Sequence, residues 1–424
     1  MRRTAPERPA LPPLRRTLRI ERLAAGGDGV ARLDGLVVFV PRTAPGDLIE
    51  ADVAQAPKAR FARARLVRVV ERSAARVAPT CPHYVHQDCG GCQLQHLTYE
   101  AQVHAKGAMV SDAFLRIAKR EIHVPTVHVA SSPWRYRQKL TLAVRQDAAG
   151  QRHAGLRAYD APDTVFPLQD CPITNPQVVA AWRQLLDAAA HLPDAPELRV
   201  AVRTLGEGVA VVVEGGSVWA SPESLAEAVP AVQAIWWVPD QGRRRLLVDR
   251  RSSSEPGASF VQVNPAMADG MARYVVERVQ AYRPRAVVDA YAGAGDTAVA
   301  LDRAGVRVTA IEADRDAAEY AATRLGPRSR AVADTVERAL ASALPADVVL
   351  VNPPRAGLDA TVTATLAAAR PRPSAIVYVS CDPATLARDV ARLPGWRVSH
   401  VTCFDLFPQT AHVETVCELV PEAE

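Results

Sequence analysis

The sequence predicts an α/β protein: a doubly wound sheet in the C-terminal third, preceded by a mixed α/β region and a small N-terminal β-barrel. Three observations predict it. From Ala286 onward, apolar strand-like runs alternate with helical stretches, the order that builds a parallel sheet with helices on both faces. Residues 17–72 instead carry short strand-like runs separated by Gly and Pro turns. Between these regions the cysteines cluster, with three of the seven inside residues 81–92.

The 424 residues allow two or three domains, and 48% apolar with 23% charged residues describes an ordinary folded chain. No apolar run reaches the roughly 20 residues of a membrane span. The N-terminus, MRRTAPERPALPPLRR, lacks the apolar segment of a signal peptide, so a cytoplasmic protein is expected. Charge is uneven. Residues 1–72 hold 15 Lys and Arg against 8 Asp and Glu, whereas the whole chain carries +5. A basic end module on a nearly neutral body points to a polyanionic partner, most simply nucleic acid. An odd number of cysteines in such a chain favours metal binding or catalysis over disulfides.

Taken in order, residues 1–16 read as a flexible basic arm. Leu18–Leu23, Leu36–Val40, Leu48–Val53 and Leu66–Val70 are strand-like, with turns at Gly26-Gly27-Asp28-Gly29 and Pro45-Gly46-Asp47. They predict a closed barrel of the oligonucleotide-binding kind over 17–75. The runs GGDGVAR and FVPRTAPGD make this stretch resemble a TRAM domain, which implies RNA as the ligand.

Residues 76–260 read as a central α/β domain. It opens with Cys81, Cys89 and Cys92, the last two flanking Gly90-Gly91, and Cys171 follows in Asp170-Cys171-Pro172. Four cysteines suit either structural zinc or a [4Fe–4S] cluster, and the three-plus-one spacing leans toward iron–sulfur. A helix is expected over 97–118. Strands are expected at Lys139–Val144, Val200–Thr204, Val209–Val213 and Ala234–Val238. Arg135, Arg137 and Lys139, two apart, would share one strand face, as a phosphate-binding row or a solvated face. A short strand carrying Gln262 then leads into a helix from Pro265 that ends before Pro284.

The last region, 261–424, carries the chemistry. A strand at Ala286–Tyr291 runs into Gly293-Ala294-Gly295, whose glycines let backbone approach a ligand. The next strand closes on Glu312, which can accept hydrogen bonds from both hydroxyls of a ribose. A dinucleotide site shares that logic but wants a third glycine where this chain has Ala298. The tight Ala-Gly-Ala-Gly after Asp289 resembles motif I of class I S-adenosylmethionine methyltransferases, which implies that cofactor and a Rossmann-like fold. Asn352-Pro353-Pro354-Arg355 ends a later strand over the same crevice. Asn-Pro-Pro loops also mark methyltransferases that act on nitrogen, so an RNA nitrogen methyltransferase stands as the alternative. The strand Val377–Val379 ends at Ser380-Cys381, and Asp382-Pro383 opens a helix. A cysteine there faces the ligand, with its thiolate favoured by the helix N-terminus, or packs as a small core residue.

Together these motifs resemble the RNA (uracil-5-)-methyltransferase family, in particular its 23S rRNA branch with a TRAM domain and a [4Fe–4S] cluster. The marks are Cys-Gly-Gly-Cys with Cys171, Phe260-Val261-Gln262-Val263-Asn264, the motif I loop, Pro-Pro-Arg, Ser380-Cys381-Asp382-Pro383 and His412-Val413-Glu414-Thr415-Val416. The resemblance implies methylation of carbon 5 of a flipped-out uridine in RNA, 23S rRNA before tRNA, by a monomer. It makes Cys381 the nucleophile at carbon 6 and Glu414 the general base. It places Gln262, Tyr291, Asp296, Glu312, Asp334 and Asn352 around S-adenosylmethionine, and gives Cys81, Cys89, Cys92 and Cys171 to the cluster. Two departures stand out. Asn352 replaces a family Asp, and seven residues separate Cys81 from Cys89 where the family has five. Cys403 and Cys417 are assigned to the core.

Overall fold

Six strands form the first sheet of the computed structural model, which describes residues 13–54, 60–147, 151–161, 163–252 and 262–422. They are Leu14–Arg19 (β1), Arg22–Leu23 (β2), Gly29–Leu33 (β3), Leu36–Val40 (β4), Leu48–Val53 (β5) and Phe61–Glu71 (β6), in the order β1-β5-β6-β4-β3-β2. Period-two alternation buries Ile49, Ala51 and Val53 from β5 against Leu18, Val38 and Val40. Residues 1–12 of the expected arm lie outside the described residues. Its end does not behave as an arm, because Leu14–Arg16 pair with Ala51–Val53 and open β1.

The chain then forms a short helix, Pro82–His86 (α1), and a longer one, Tyr99–Ala113 (α2), which Phe114–Ala118 extends as a π-turn. This element packs on the C-terminal module: Val110, Ala113 and Phe114 share a core with Leu386, Ala387 and Val390. A three-residue strand, Thr126–His128 (β7), joins the C-terminal sheet as well. The central stretch is thus divided, part of it completing the domain that follows.

The second sheet contains Lys139–Gln146 (β8), Arg152–Arg157 (β9), Val165–Pro167 (β10), Glu197–Leu205 (β11), Gly208–Glu214 (β12), Val232–Val238 (β13) and Arg245–Asp249 (β14). Its order is β10-β9-β8-β11-β12-β13-β14. Helices Pro176–Asp187 (α3) and Pro222–Ala228 (α4) cover one face through Val178, Trp182, Leu185 and Leu225. The expected basic row at 135–139 does not form. Arg135 adopts a left-handed φ of 55° and pairs with Asp170 at 2.7 Å, so extended backbone begins only at Lys139.

The third sheet follows helix Pro265–Ala281 (α5). Its strands are Ala286–Ala290 (β15), Arg307–Glu312 (β16), Arg330–Ala333 (β17), Val348–Val351 (β18), Ala375–Ser380 (β19), Trp396–Phe404 (β20) and Glu414–Pro421 (β21). Helices Asp296–Arg303 (α6), Arg315–Arg324 (α7), Val336–Ala343 (α8), Ala360–Ala368 (α9) and Pro383–Ala391 (α10) lie between them. With β7 the order is β17-β16-β15-β18-β19-β21-β20-β7. Strands β15 to β19 are parallel, as the alternation predicts. Strand β21 runs antiparallel to β19 and β20, because no crossover helix separates β20 from β21. Phe260 and Val261 lie outside the described residues, and Gln262–Asn264 form no strand. The strand order reverses between β15 and β18, which opens a crevice beyond their carboxyl ends. Among the described residues no helix is long and apolar enough to cross a membrane.

Candidate active site

The crevice is built from the loop after β15. Tyr291 takes a left-handed φ of 62°, Gly293 57° and Gly295 84°. A methyl group added at Gly295 would come within 2.6 Å of the Ala321 Cβ, so only glycine lets α6 pack against α7 there. At Gly293 the same addition meets nothing within 4 Å, and that side of the loop faces open space. Glu312 ends β16 beneath it. One carboxylate oxygen accepts from the Gly293 N–H at 2.9 Å, the other from the Asp314 N–H at 2.7 Å. Each oxygen keeps a second lone pair, which fits the hydroxyls of a ribose. Asp289, buried within β15, has one oxygen without a partner among the described residues, and burial pushes its carboxyl up to about 7.

The other expected cofactor residues are distributed around this loop. Asp296 is the first residue of α6, with its exposed carboxylate drawn to Arg324 at 2.7 Å. Tyr291 directs its hydroxyl to Glu337 at 3.3 Å. Asp334 follows β17 and accepts from the Thr335 N–H at 2.8 Å. Gln262 is half-buried two residues before Asn264, the residue that caps α5. Asn352 is exposed at the end of β18, and its N–H donates to the Ala290 carbonyl at 3.2 Å, joining the two central strands at the crevice.

Asp389, which the motifs do not reveal, holds the Pro-Pro-Arg loop. It is fully buried on α10 and accepts from the Leu358 N–H at 2.7 Å, the Tyr378 hydroxyl at 2.9 Å and Arg388. Asp389→Ala strands these donors in the interior. It is expected to destabilise the protein by about 3 kcal/mol, read as a lower urea midpoint.

Cys381 and Glu414 meet at the other end of the crevice. Ser380 pairs with Thr415 in the antiparallel β19–β21 ladder, so the next positions outward, Cys381 and Glu414, stand opposite each other. Asp382 caps α10 by accepting from Ala384 and Thr385. The thiol is not acidified as the helix N-terminus alone suggests. Burial, and then the Glu414 carboxylate, raise its pKa, while Arg355 acts in the opposite direction. Glu414 is buried, and burial lifts its carboxyl to about 7 against the pull of Arg355. One cation therefore favours the charged forms of both groups. Cys403 and Cys417 are fully buried in the core.

Cys81, Cys89, Cys92 and Cys171 line a single cavity of about 90 Å³, together with His83, Tyr84 and Arg137. The Gly91 N–H donates to the Cys89 sulfur at 3.4 Å. Burial, and the charges of the neighbouring cysteines, push Cys89 up to about 11 and Cys92 up to about 12. Such thiols ionise readily only against a compensating cation. Among the described residues, however, no three His, Cys, Asp or Glu side chains form a site for a metal ion. All four cysteines nevertheless line the same cavity.

Comparison with known proteins agrees with this geometry. Residues 338–420 match the family model described as tRNA (uracil-5-)-methyltransferase, and residues 15–67 match the TRAM domain. The chain is 33% identical to an uncharacterized RNA methyltransferase of Gloeobacter violaceus, across 95% of this chain and 96% of that protein. It is 31% identical to the 23S rRNA (uracil(1939)-C(5))-methyltransferase RlmD of Azoarcus sp., across 94% and 98%. Among solved structures, Pyrococcus abyssi tRNA (uracil-54, C5)-methyltransferase, in complex with S-adenosyl-L-homocysteine, superposes with a TM-score of 0.68. It is 25% identical, across 95% of this chain and 99% of that one.

Proposed function

Because the chain belongs to the RNA (uracil-5-)-methyltransferase family, and is an S-adenosylmethionine-dependent RNA (uracil-C5)-methyltransferase, we propose that it works through a covalent adduct between Cys381 and uracil. The observation that carries this reading is the β19–β21 register, which sets a thiol opposite a buried carboxylate with Arg355 acting on both.

Carbon 5 of uracil is a weak nucleophile. The Cys381 thiolate adds to carbon 6 and pushes electron density onto carbon 5, dividing one hard step into easier ones. The bound sulfonium supplies the electrophilic methyl group. Glu414 then takes the proton left on carbon 5, the electron pair of that bond restores the ring double bond, and the bond between carbon 6 and sulfur breaks to return the Cys381 thiolate. Gly293 and Glu312 hold the cofactor in this reading, with Gln262, Tyr291, Asp296, Asp334 and Asn352 around it. The nitrogen-methyltransferase alternative gives neither Cys381 nor Glu414 a task and falls with the family assignment.

The substrate we assign is 23S rRNA, after the RlmD relatives at 31% and 32% identity. The test is incubation with S-adenosylmethionine and ribosomal RNA containing 5-fluorouridine, whose fluorine cannot leave as a proton once carbon 5 is methylated. A fragment of RNA bound to the Cys381 peptide, seen by mass spectrometry, is the expected result. An adduct with tRNA alone would correct the substrate, and no adduct with either would remove the covalent mechanism.

We assign the four-cysteine cavity to a [4Fe–4S] cluster. The three-plus-one spacing of these cysteines, which line one cavity, suits a polynuclear centre better than the paired C-x-x-C units usual for zinc. Such a centre would brace the fold beside the RNA. Anaerobically purified protein is expected to contain about four iron and four sulfide per chain. Stoichiometric zinc without sulfide would reverse the assignment. Removing any one of the four cysteines should lower both the metal content and the thermal midpoint.

A further inference from the structure

Gln93 follows Cys92 directly, and its side chain reaches in two directions. Its Nε2 donates to the Gly90 carbonyl at 2.8 Å, inside the Cys-Gly-Gly-Cys turn. Its Oε1 accepts from the Ala411 N–H at 3.3 Å. Only this orientation of the amide satisfies both, since a carbonyl needs a donor and an N–H an acceptor. The main chain repeats the link: the N–H groups of Gln93 and Leu94 donate to the Gln409 carbonyl at 3.2 and 2.9 Å.

The partner segment is the loop between β20 and β21, which leads straight into Glu414. It has no ladder or helix of its own. Gln409 holds a left-handed φ of 70°, a conformation that persists in a non-glycine residue when its surroundings fix it. Buried Gln102 answers its amide, donating to Gln409 Oε1 at 3.0 Å and accepting from its N–H at 2.9 Å. Lys106 and Asp405, both fully buried, pair at 2.5 Å beneath the loop. The loop is therefore shaped from outside, and the cysteine turn is one of its supports.

We infer that Gln93 is a positioning residue: it ties the Cys-Gly-Gly-Cys turn to the loop that delivers Glu414, so the order of the turn sets the placement of the base. This inference rests on the Cys381 and Glu414 assignment above. Its signature differs from general loss of structure. A displaced base slows release of the adduct while leaving its formation intact.

The experiment uses the full chain, transcribed 23S rRNA with natural uridine, and S-adenosylmethionine. Gln93→Ala is expected to lower turnover by roughly 10²-fold and to accumulate a denaturant-stable RNA adduct, as Glu414→Gln does, with the KM for S-adenosylmethionine unchanged. Gln93→Glu keeps an acceptor for Ala411 but sets a carboxylate oxygen against the Gly90 carbonyl, so it cuts the tie to the turn and is expected to accumulate adduct as Gln93→Ala does. Should Gln93→Ala be insoluble, Gln93→Met fills the space without either hydrogen bond and gives the same reading. Wild-type turnover in both Gln93→Ala and Gln93→Met, or lost turnover with no adduct, would overturn the positioning role while Glu414→Gln still accumulated adduct. If Glu414→Gln accumulated none either, the catalytic assignment itself would be wrong.

Discussion

Cys381→Ala is expected to abolish 5-methyluridine formation, by about 10⁴-fold or more, and to remove the 5-fluorouridine adduct altogether. The size of the effect follows from the chemistry. Without addition at carbon 6, carbon 5 has no electron density to give, and no neighbouring group replaces sulfur. Cys403 and Cys417 are sealed in the core and cannot substitute. Binding of S-adenosylmethionine should be unchanged, because Gly293 and Glu312, which hold it in this reading, belong to the β15 and β16 strand ends and not to β19. Titration calorimetry of the variant checks that separation. A variant that methylates at near wild-type rate would show that Cys381 is only a core residue at a strand end.

Glu414→Gln is the second large effect, and its direction differs. Methyl transfer still proceeds, but carbon 5 keeps its hydrogen, so turnover should fall by roughly 10²- to 10⁴-fold while adduct builds up on natural uridine. The pH dependence carries a sign that can be worked out. The carboxyl titrates at about 7 in the folded protein, raised by burial, and only its ionised form accepts a proton. Turnover should therefore rise with pH up to about 7 and flatten above, as far as this group governs it. Loss of that ascending limb in Glu414→Gln, measured from pH 5.5 to 8.5, would identify the titrating group. A limb that survives the substitution would assign it elsewhere.

Much of this was legible in the sequence because the third sheet is buried on both faces. Strands such as Val348–Val351 and Ala375–Ser380 are continuous apolar runs, and the chemistry follows each of them directly. Cys381 could be placed at a strand end for that reason. Its relation to Glu414 could not, since it depends on an antiparallel pairing that skips β20 in sequence. Burial also reversed the expected influence of the helix N-terminus on the thiol, and burial is not visible in a local motif. Asp389 was hidden because its value lies in accepting from Leu358 and Tyr378, donors on two other segments far from it in sequence. The split of the central stretch was hidden too. Strand β7 is only three residues long and half exposed, with nothing in its pattern to say which sheet it joins.

That strand bears on how the protein can be made and cut. Thr126–His128 occupies the outer edge of the catalytic sheet, beside Thr402–Phe404, with His128 stacked on Phe404 at 4.5 Å. During synthesis it leaves the ribosome more than two hundred residues ahead of the strand it pairs with, and α2 waits with it. The intervening sheet can fold in that time, but the catalytic sheet closes last, from segments on both sides of that sheet. A fragment starting at residue 262 would contain every assigned catalytic and cofactor residue, yet would present β20 as a bare edge and leave Leu386, Ala387 and Val390 uncovered. The second and third sheets are therefore separable in the drawing of the fold but not on the gene: the second sheet is inserted within the catalytic domain.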